Sequence, residues 1–315
     1  MASGKGLDGR LVVLMGGSGF IGQYVAQALL QRGARLRIAS RNPERSFKLK
    51  PLANLGQIQF ARCDATDRKS IERCLHGADA VVNLVGSFEG NLHRLMGEAP
   101  GWMAEAATAQ GAQAFVHVSA ITGAGDPEDP VAYAVAKREG ERRVLAAFPR
   151  ATVLRPSVLF GKDDSFITMF AGLIATLPVV PVFGPEAKLQ PVYVDDVAEA
   201  VANALEDPGA HGGKTYELAG PEVLTMRDLN RRIAAAQGRR RTLLAVPDPL
   251  AALFAALPGT PMSSDQWRLL EAGNVASGRL PGLDRLGIIA RPLGLFLDKW
   301  MVRYRKHGRF ADRQG

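Results

Sequence analysis

The chain has 315 residues, 47% of them hydrophobic and 22% charged, which excludes a disordered protein and suffices for one large α/β domain with a smaller lobe. Its 39 Lys and Arg against 31 Asp and Glu give a formal net charge of +8, suited to acidic partners such as phosphorylated cofactors or anionic lipid surfaces. Aromatic residues are only 7% and no nucleic-acid motif is present, so nucleic acid ranks last among those partners.

The opening MASGKGLDGR has no apolar export segment and no Arg-rich presequence, so the expectation is a bacterial cytoplasmic chain or one already trimmed. An apolar run, Leu11–Met15, then reads as a buried parallel strand. Gly16, Gly19 and Gly22 follow in GxxGxxG spacing, and a helical pattern runs through Val25, Ala28 and Leu29 to a stop at Gly33. Gly16 permits the tight turn, Gly19 lets backbone approach a pyrophosphate, and Gly22 lets the helix pack closely on the sheet. The helix N-terminus offers free N–H groups to the phosphates. A second strand at 36–39 ends in Ser40 and Arg41, where an acid would otherwise take a ribose 2′-hydroxyl. A hydroxyl beside a guanidinium suits a 2′-phosphate, so the cofactor expected is NADPH or NADP.

A basic loop with Arg45, Lys48 and Lys50 leads to a strand at 58–61, closed by Cys63 and Asp64. Asp64 reads either as an acceptor for the adenine amino group or, like Asp67, as a helix N-cap. The two cysteines, Cys63 and Cys74, lack disulfide or zinc spacing and read as reduced core thiols; no metal site is expected. A helix over 70–75 precedes a strand at 80–85, whose end, Leu84, Val85 and Gly86, makes a small turn against the cofactor. A helix at 92–110, a strand at 114–119 and a Gly/Pro/Asp loop at 121–130 follow. Tyr133 and Lys137 open the next helix, and a strand at 151–154 runs into Arg155, Pro156 and Ser157. Ser18, Phe20, Ile21, Ala65, Ser119 and Pro156 lie at these turns and strand ends, and join the cofactor-binding candidates.

Past Gly161 the strand–helix alternation lapses. The uncharged stretch 165–185 contains Pro178, Pro181 and Pro185 and reads as a buried helix at 166–177 plus an extended segment, not a membrane span. Residues 191–198 return a strand and helix to the main domain, and Thr215–Leu218 is a further strand. Thr225 and Asp228 resemble a capping box for a helix to about Gln237. Short apolar helices are expected at 249–257 and 264–273. From Pro292, Leu293, Phe296, Leu297, Trp300, Met301 and Tyr304 form one helical stripe, and from Asp298 onward six Lys or Arg face two Asp. That tail reads either as a last helix docked on its own lobe or as a helix that meets a membrane surface or a partner.

Together GGSGFIG, NLVG, Tyr133-xxx-Lys137, RPSVLFG and VYVDDVAEA make the chain, over about 11–229, resemble extended and atypical short-chain dehydrogenases/reductases. The resemblance implies that Tyr133 is the general acid/base, and that Lys137 lowers the tyrosine pKa and binds the nicotinamide ribose. It also implies a Ser or Thr hydroxyl two residues past Ser119, where this chain has the apolar Ile121; Thr122 or Ser119 would have to substitute. The loop from Ser119 to Tyr133 is shorter than in sugar-nucleotide members.

Within that group, VVLMGGSGFIGQYVAQALLQRGARLRIASRNPER, YAVAKREGE and the basic tail resemble the nucleotide-binding accessory subunits of respiratory complex I, NADH:ubiquinone oxidoreductase. The resemblance implies NADPH held as a structural cofactor with little or no turnover, other complex I subunits of the peripheral arm as partners, and a peripheral place on the cytoplasmic side of a bacterial inner membrane. The alternative is a free-standing NADP-dependent reductase or epimerase acting on a carbonyl or on a sugar- or steroid-like substrate. The expected architecture is a doubly wound parallel Rossmann sheet at 8–160, completed by about 188–218, with a smaller C-terminal lobe from 161–187 and 219–315.

Overall fold

A computed structural model describes residues 6–123, 131–257 and 262–306. Strand β1 (Leu11–Met15) is buried at every position, as an apolar run between two helical layers must be. After it come α1 (Phe20–Gln31), β2 (Arg35–Ser40), β3 (Ile58–Arg62), α2 (Arg68–Leu75), β4 (Ala80–Asn83) and α3 (Ala99–Ala109). The winding continues through β5 (Ala114–Val118), α4 (Ala132–Ala147) and β6 (Thr152–Pro156). The chain then departs through β7 (Leu159–Phe160), α5 (Ser165–Thr176), β8 (Val179–Val182) and β9 (Lys188–Leu189). It returns by β10 (Val192–Tyr193), α6 (Val194–Glu206), the short α7 (Pro208–His211) and β11 (Thr215–Leu218). Last come β12 (Leu224–Thr225), α8 (Met226–Ala236), β13 (Thr242–Ala245), α9 (Asp248–Ala256), α10 (Ser264–Glu271) and α11 (Gly294–Met301).

Seven strands form one sheet in the order β11-β6-β5-β4-β1-β2-β3, and every pairing in it is parallel. Residues of α1 and α6 fill the core on one face, among them Val25, Leu29, Val197 and Val201. Ile71, Met103, Ala107 and Val144, from α2, α3 and α4, fill the other. The winding direction reverses between β1 and β4. A crevice therefore opens beyond the carboxyl ends of these two strands, where a doubly wound sheet places its ligand. A separate core joins α5, α8 and α11 with β8 and β10, through Phe170, Ile174, Val180, Tyr193, Leu229 and Leu297.

Several local expectations change once the chain is packed. The helix at 92–110 begins as a π-helical turn, His93–Glu98, and becomes α-helical only at Ala99. Pro100, with no N–H to give to the ladder, sits at that junction. The wide turn pushes the Met96 carbonyl against α4, where a Cβ at Gly140 would stand 2.1 Å from the oxygen. The basic loop after Arg41 is wound into 3₁₀ turns, Pro43–Leu52. At α8 the cap is one-sided: Thr225 accepts from the Asp228 N–H, but the Asp228 carboxylate takes the Thr225 hydroxyl instead of reaching its backbone. The reciprocal capping box lies at α10, between Ser263 and Gln266.

The uncharged stretch divides into α5 and β8, and among the described residues no helix is long and apolar enough to cross a membrane. The tail stripe docks on its own lobe, with Leu293, Leu297 and Met301 buried. Phe296 stacks on Tyr193 with ring centroids 4.2 Å apart, and Trp300 stacks on Phe296 at 5.1 Å. Each fully buried side chain contributes about 1.5–3 kcal/mol when removed from water, so Leu293, Leu297 and Met301 are committed to the lobe. Of the tail's charges, Arg309, Asp312 and Arg313 lie outside the described residues. So do 124–130 of the expected loop and the first five residues of the chain.

Candidate active site and cofactor cleft

Gly16 turns the chain out of β1 with φ of +77°, and a Cβ there would press on the Leu84 carbonyl carbon and on Val85 at 3.2 Å. The Leu84–Gly86 turn thus lies directly against the glycine loop. Asn83 fixes it by accepting the Val85 N–H at 3.0 Å, which also ends β4 two residues earlier than its apolar pattern predicts. Gly22 does a different job from the one expected. Its missing Cβ would stand 2.3 Å from the Gly17 carbonyl oxygen, so it brings the first turn of α1 onto the loop itself, not onto the sheet.

Gly19 is the N-cap of α1, with no side-chain cap and no acid in the first turn. The helix N-terminus, beside half-buried Ser18, keeps donors free for a phosphate. Gly22→Ala is expected to cost about 2 kcal/mol in urea unfolding, because a backbone oxygen cannot move aside. Gly19→Ala, whose Cβ would meet only the Gly16 oxygen at 3.5 Å, should change stability by less than about 0.5 kcal/mol.

At the far end of the crevice, Ser40 closes β2 with its hydroxyl buried and unpartnered. Arg41 beside it is exposed and makes no ion pair among the described residues. Asp64 accepts from both the backbone N–H and the hydroxyl of Thr66, at 2.9 and 2.8 Å. These bonds, helped by Arg41 and Arg94, hold its carboxyl below the usual range. The N-cap of α2 is Asp67, which accepts from Lys69. Ala65 packs into the core beneath α2 and α3.

Tyr133 and Lys137 lie one turn apart on α4, and they share a cavity of about 540 Å³ with Phe20, Ile21, Leu84, Ser119 and Pro156. Phe88 stacks on the Tyr133 ring with centroids 4.4 Å apart and planes 17° from parallel. The Lys137 ammonium donates to the Val118 carbonyl at 3.3 Å and stands 5.9 Å from the centre of the Tyr133 ring. Burial pushes the Tyr133 phenol up to about 12 and the Lys137 ammonium down to about 8. The phenol therefore moves in the direction opposite to the lowering that the family resemblance implies. It is a neutral hydrogen-bond donor near pH 7.

Thr122 is not brought to this cleft. The backbone stays extended alongside β6, with Ser119 N donating to Leu154 and Ile121 N to Pro156, and carries Thr122 past it. Thr122 instead lines a second cavity with Arg155, Lys188 and Glu217. Ile121 and Ser119 remain in the first, and the buried Ser119 hydroxyl has no partner there.

Three site residues carry no sequence signal strong enough to have been singled out. Phe88 sits two residues past the NLVG turn. His117 is sealed under the cleft, its Nδ1 3.0 Å from the Asn83 amide nitrogen. Because that amide nitrogen only donates, Nδ1 accepts and the ring proton sits on Nε2, which is buried without a partner. Asn274, distant in sequence, donates to the Ile121 carbonyl and accepts from the Val158 N–H.

Residues 12–219 match the model of a family described as "NAD dependent epimerase/dehydratase family". NADH dehydrogenase (ubiquinone) 1 alpha subcomplex subunit 9 of Mus musculus is 30% identical over 96% of this chain and 84% of that protein. A protein named ceramide reductase, from Caulobacter vibrioides, is 28% identical over 76% of this chain and 74% of its own length. Among solved structures, a nucleoside-diphosphate-sugar epimerase from Staphylococcus aureus superposes with a TM-score of 0.71. It covers 91% of this chain and 99% of that one, at 16% identity, a likeness of fold alone.

Proposed function

The chain belongs to the NAD dependent epimerase/dehydratase family, and from that premise we propose that it is an NADP(H)-binding accessory subunit of complex I. In this reading NADPH is a structural cofactor with little or no turnover. Its pyrophosphate lies on the N-terminus of α1, its 2′-phosphate meets Ser40 and Arg41, and its nicotinamide ribose lies by Tyr133 and Lys137. The nicotinamide, when bound, would supply hydride chemistry. Residues 8–160, completed by about 188–218, hold the dinucleotide, and the remaining lobe meets the complex.

One contrast carries the reading: the phosphate-binding turn is intact while the reacting end is blunted. Ile121 stands in the slot where the resemblance implies a hydroxyl. The near full-length similarity to the mouse subunit supports the same assignment. The proposed place is the cytoplasmic face of a bacterial inner membrane, on the peripheral arm. Any membrane contact is made by exposed cations such as Lys299 and Lys306, because the apolar stripe of α11 is used within the lobe.

Purification of the tagged chain from native membranes is expected to bring down respiratory-chain subunits and release NADPH on denaturation. Recovery of the chain alone would refute the assignment. The second reading is a free-standing NADP-dependent reductase, favoured by Tyr133 and an unpartnered Ser119 hydroxyl in one cavity and by the likeness to ceramide reductase. It requires NADPH oxidation with a carbonyl substrate that Tyr133→Phe abolishes, by at least about 100-fold.

A further inference from the structure

The cavity under Tyr133 extends well beyond the space a nicotinamide needs, into the second lobe past Met169, Leu173, Phe254 and Leu270. Its polar side chains are almost all engaged within the protein. Lys137 donates to Val118. Asp164 accepts the Gly161 and Ile167 N–H groups at the start of α5. Ser157 donates to Gln190, Asn274 is held between Val158 and Ile121, and Gln266 accepts from Ser263. Among the described residues, apart from Ser165 at the exposed rim, two side-chain hydroxyls are left to a ligand, beside the remaining donors of the Lys137 ammonium and the Gln266 amide. One is the Ser119 hydroxyl, only 4% exposed and unpartnered, and the other is the Tyr133 hydroxyl. Both hydroxyls lie at the cofactor end.

We propose that this cavity binds a single-chain lipid, with one carbonyl or hydroxyl oxygen between Ser119 and Tyr133 and its hydrocarbon chain running between α5 and α9 into the second lobe. A sugar nucleotide presents hydroxyls and phosphates along its whole length. Burying them against Phe170, Leu173 and Leu189 would leave each without a partner, at about 1–3 kcal/mol apiece. A hydrocarbon chain meets the same walls favourably, at about 0.8 kcal/mol per buried methylene. The site requires no turnover of the nucleotide and so stands independently of the complex I assignment.

The test uses the full-length chain as isolated and displacement of the neutral fluorophore N-phenyl-1-naphthylamine by 2-alkanones from 2-octanone to 2-tetradecanone. Full burial gives about fourfold tighter binding per methylene, and a rise of at least about 100-fold across the series is expected. Met169→Asp puts a carboxylate at the mouth, on a residue already 37% exposed, so the fold is kept. It should weaken 2-tetradecanone at least about tenfold with an unchanged melting temperature. Ser119→Ala should weaken 2-tetradecanone about fivefold and leave tetradecane unaffected. Affinity flat in chain length, or displacement by UDP-glucose as effective as by 2-tetradecanone, would overturn the proposal.

Discussion

Arg41→Ala is expected to lower the affinity for NADPH by about 100-fold while changing that for NADH less than about threefold. The guanidinium stands at the carboxyl end of β2, exposed and with no ion pair among the described residues, so it is available to a 2′-phosphate dianion. NADH has no charge at that position to lose. Ser40→Ala should act in the same direction with a smaller effect, since a buried hydroxyl without a partner contributes one neutral hydrogen bond to the ligand. Because Arg41 is exposed, the preference for NADPH should shrink in 0.5 M salt. Titration of both nucleotides into wild type and variant decides the matter. Equal losses would remove the 2′-phosphate assignment while leaving the glycine turn as a dinucleotide site.

The second large effect is on acid stability and comes from His117. Burial, reinforced by the nearby charge of Lys137, pushes its pKa down to about 3, against 6.5 for the free side chain. Between those values the unfolded chain binds a proton that the folded chain does not. Stability is therefore complete above about pH 6.5 and falls as pH drops, by about 1.4 kcal/mol per unit, reaching about 3 kcal/mol at pH 4. His117→Gln keeps an acceptor for the Asn83 amide and removes the titration. Urea unfolding of the two proteins should agree in pH dependence above pH 7 and diverge steadily below it. Parallel curves down to pH 4 would show that His117 is not the group responsible.

Much of the fold and part of the site are legible in the sequence because their determinants are local. The run Leu11–Met15, the glycines after it and the amphipathic Phe20–Gln31 fix a strand, a turn and a helix through φ/ψ limits and the 3.6-residue period alone. The spacing of Tyr133 and Lys137 puts them on one helix face in the same way. The uncharged stretch at 165–185 is correctly read as helix plus strand, since its prolines forbid a long helix.

Where the reading fails, the deciding contact is remote. Whether Ser119, Ile121 or Thr122 meets the cleft depends on pairing with β6, more than thirty residues away. Which of two roles the tail stripe takes depends on Tyr193, which stacks on Phe296 across the second core. Nothing near Asn274 marks it, because its partners Ile121 and Val158 lie 153 and 116 residues distant.

By itself the sequence determined a doubly wound sheet, a glycine turn at the end of its first strand and a serine–arginine pair at the end of its second, since each follows from spacing along a few neighbouring residues. Only the tertiary structure decided that burial pushes the phenol up, that Leu293, Leu297 and Met301 of the tail turn inward, and that the cleft continues as a largely apolar cavity. Burial depth and the pairing of polar groups are properties of surfaces assembled from distant segments, and no local pattern encodes them.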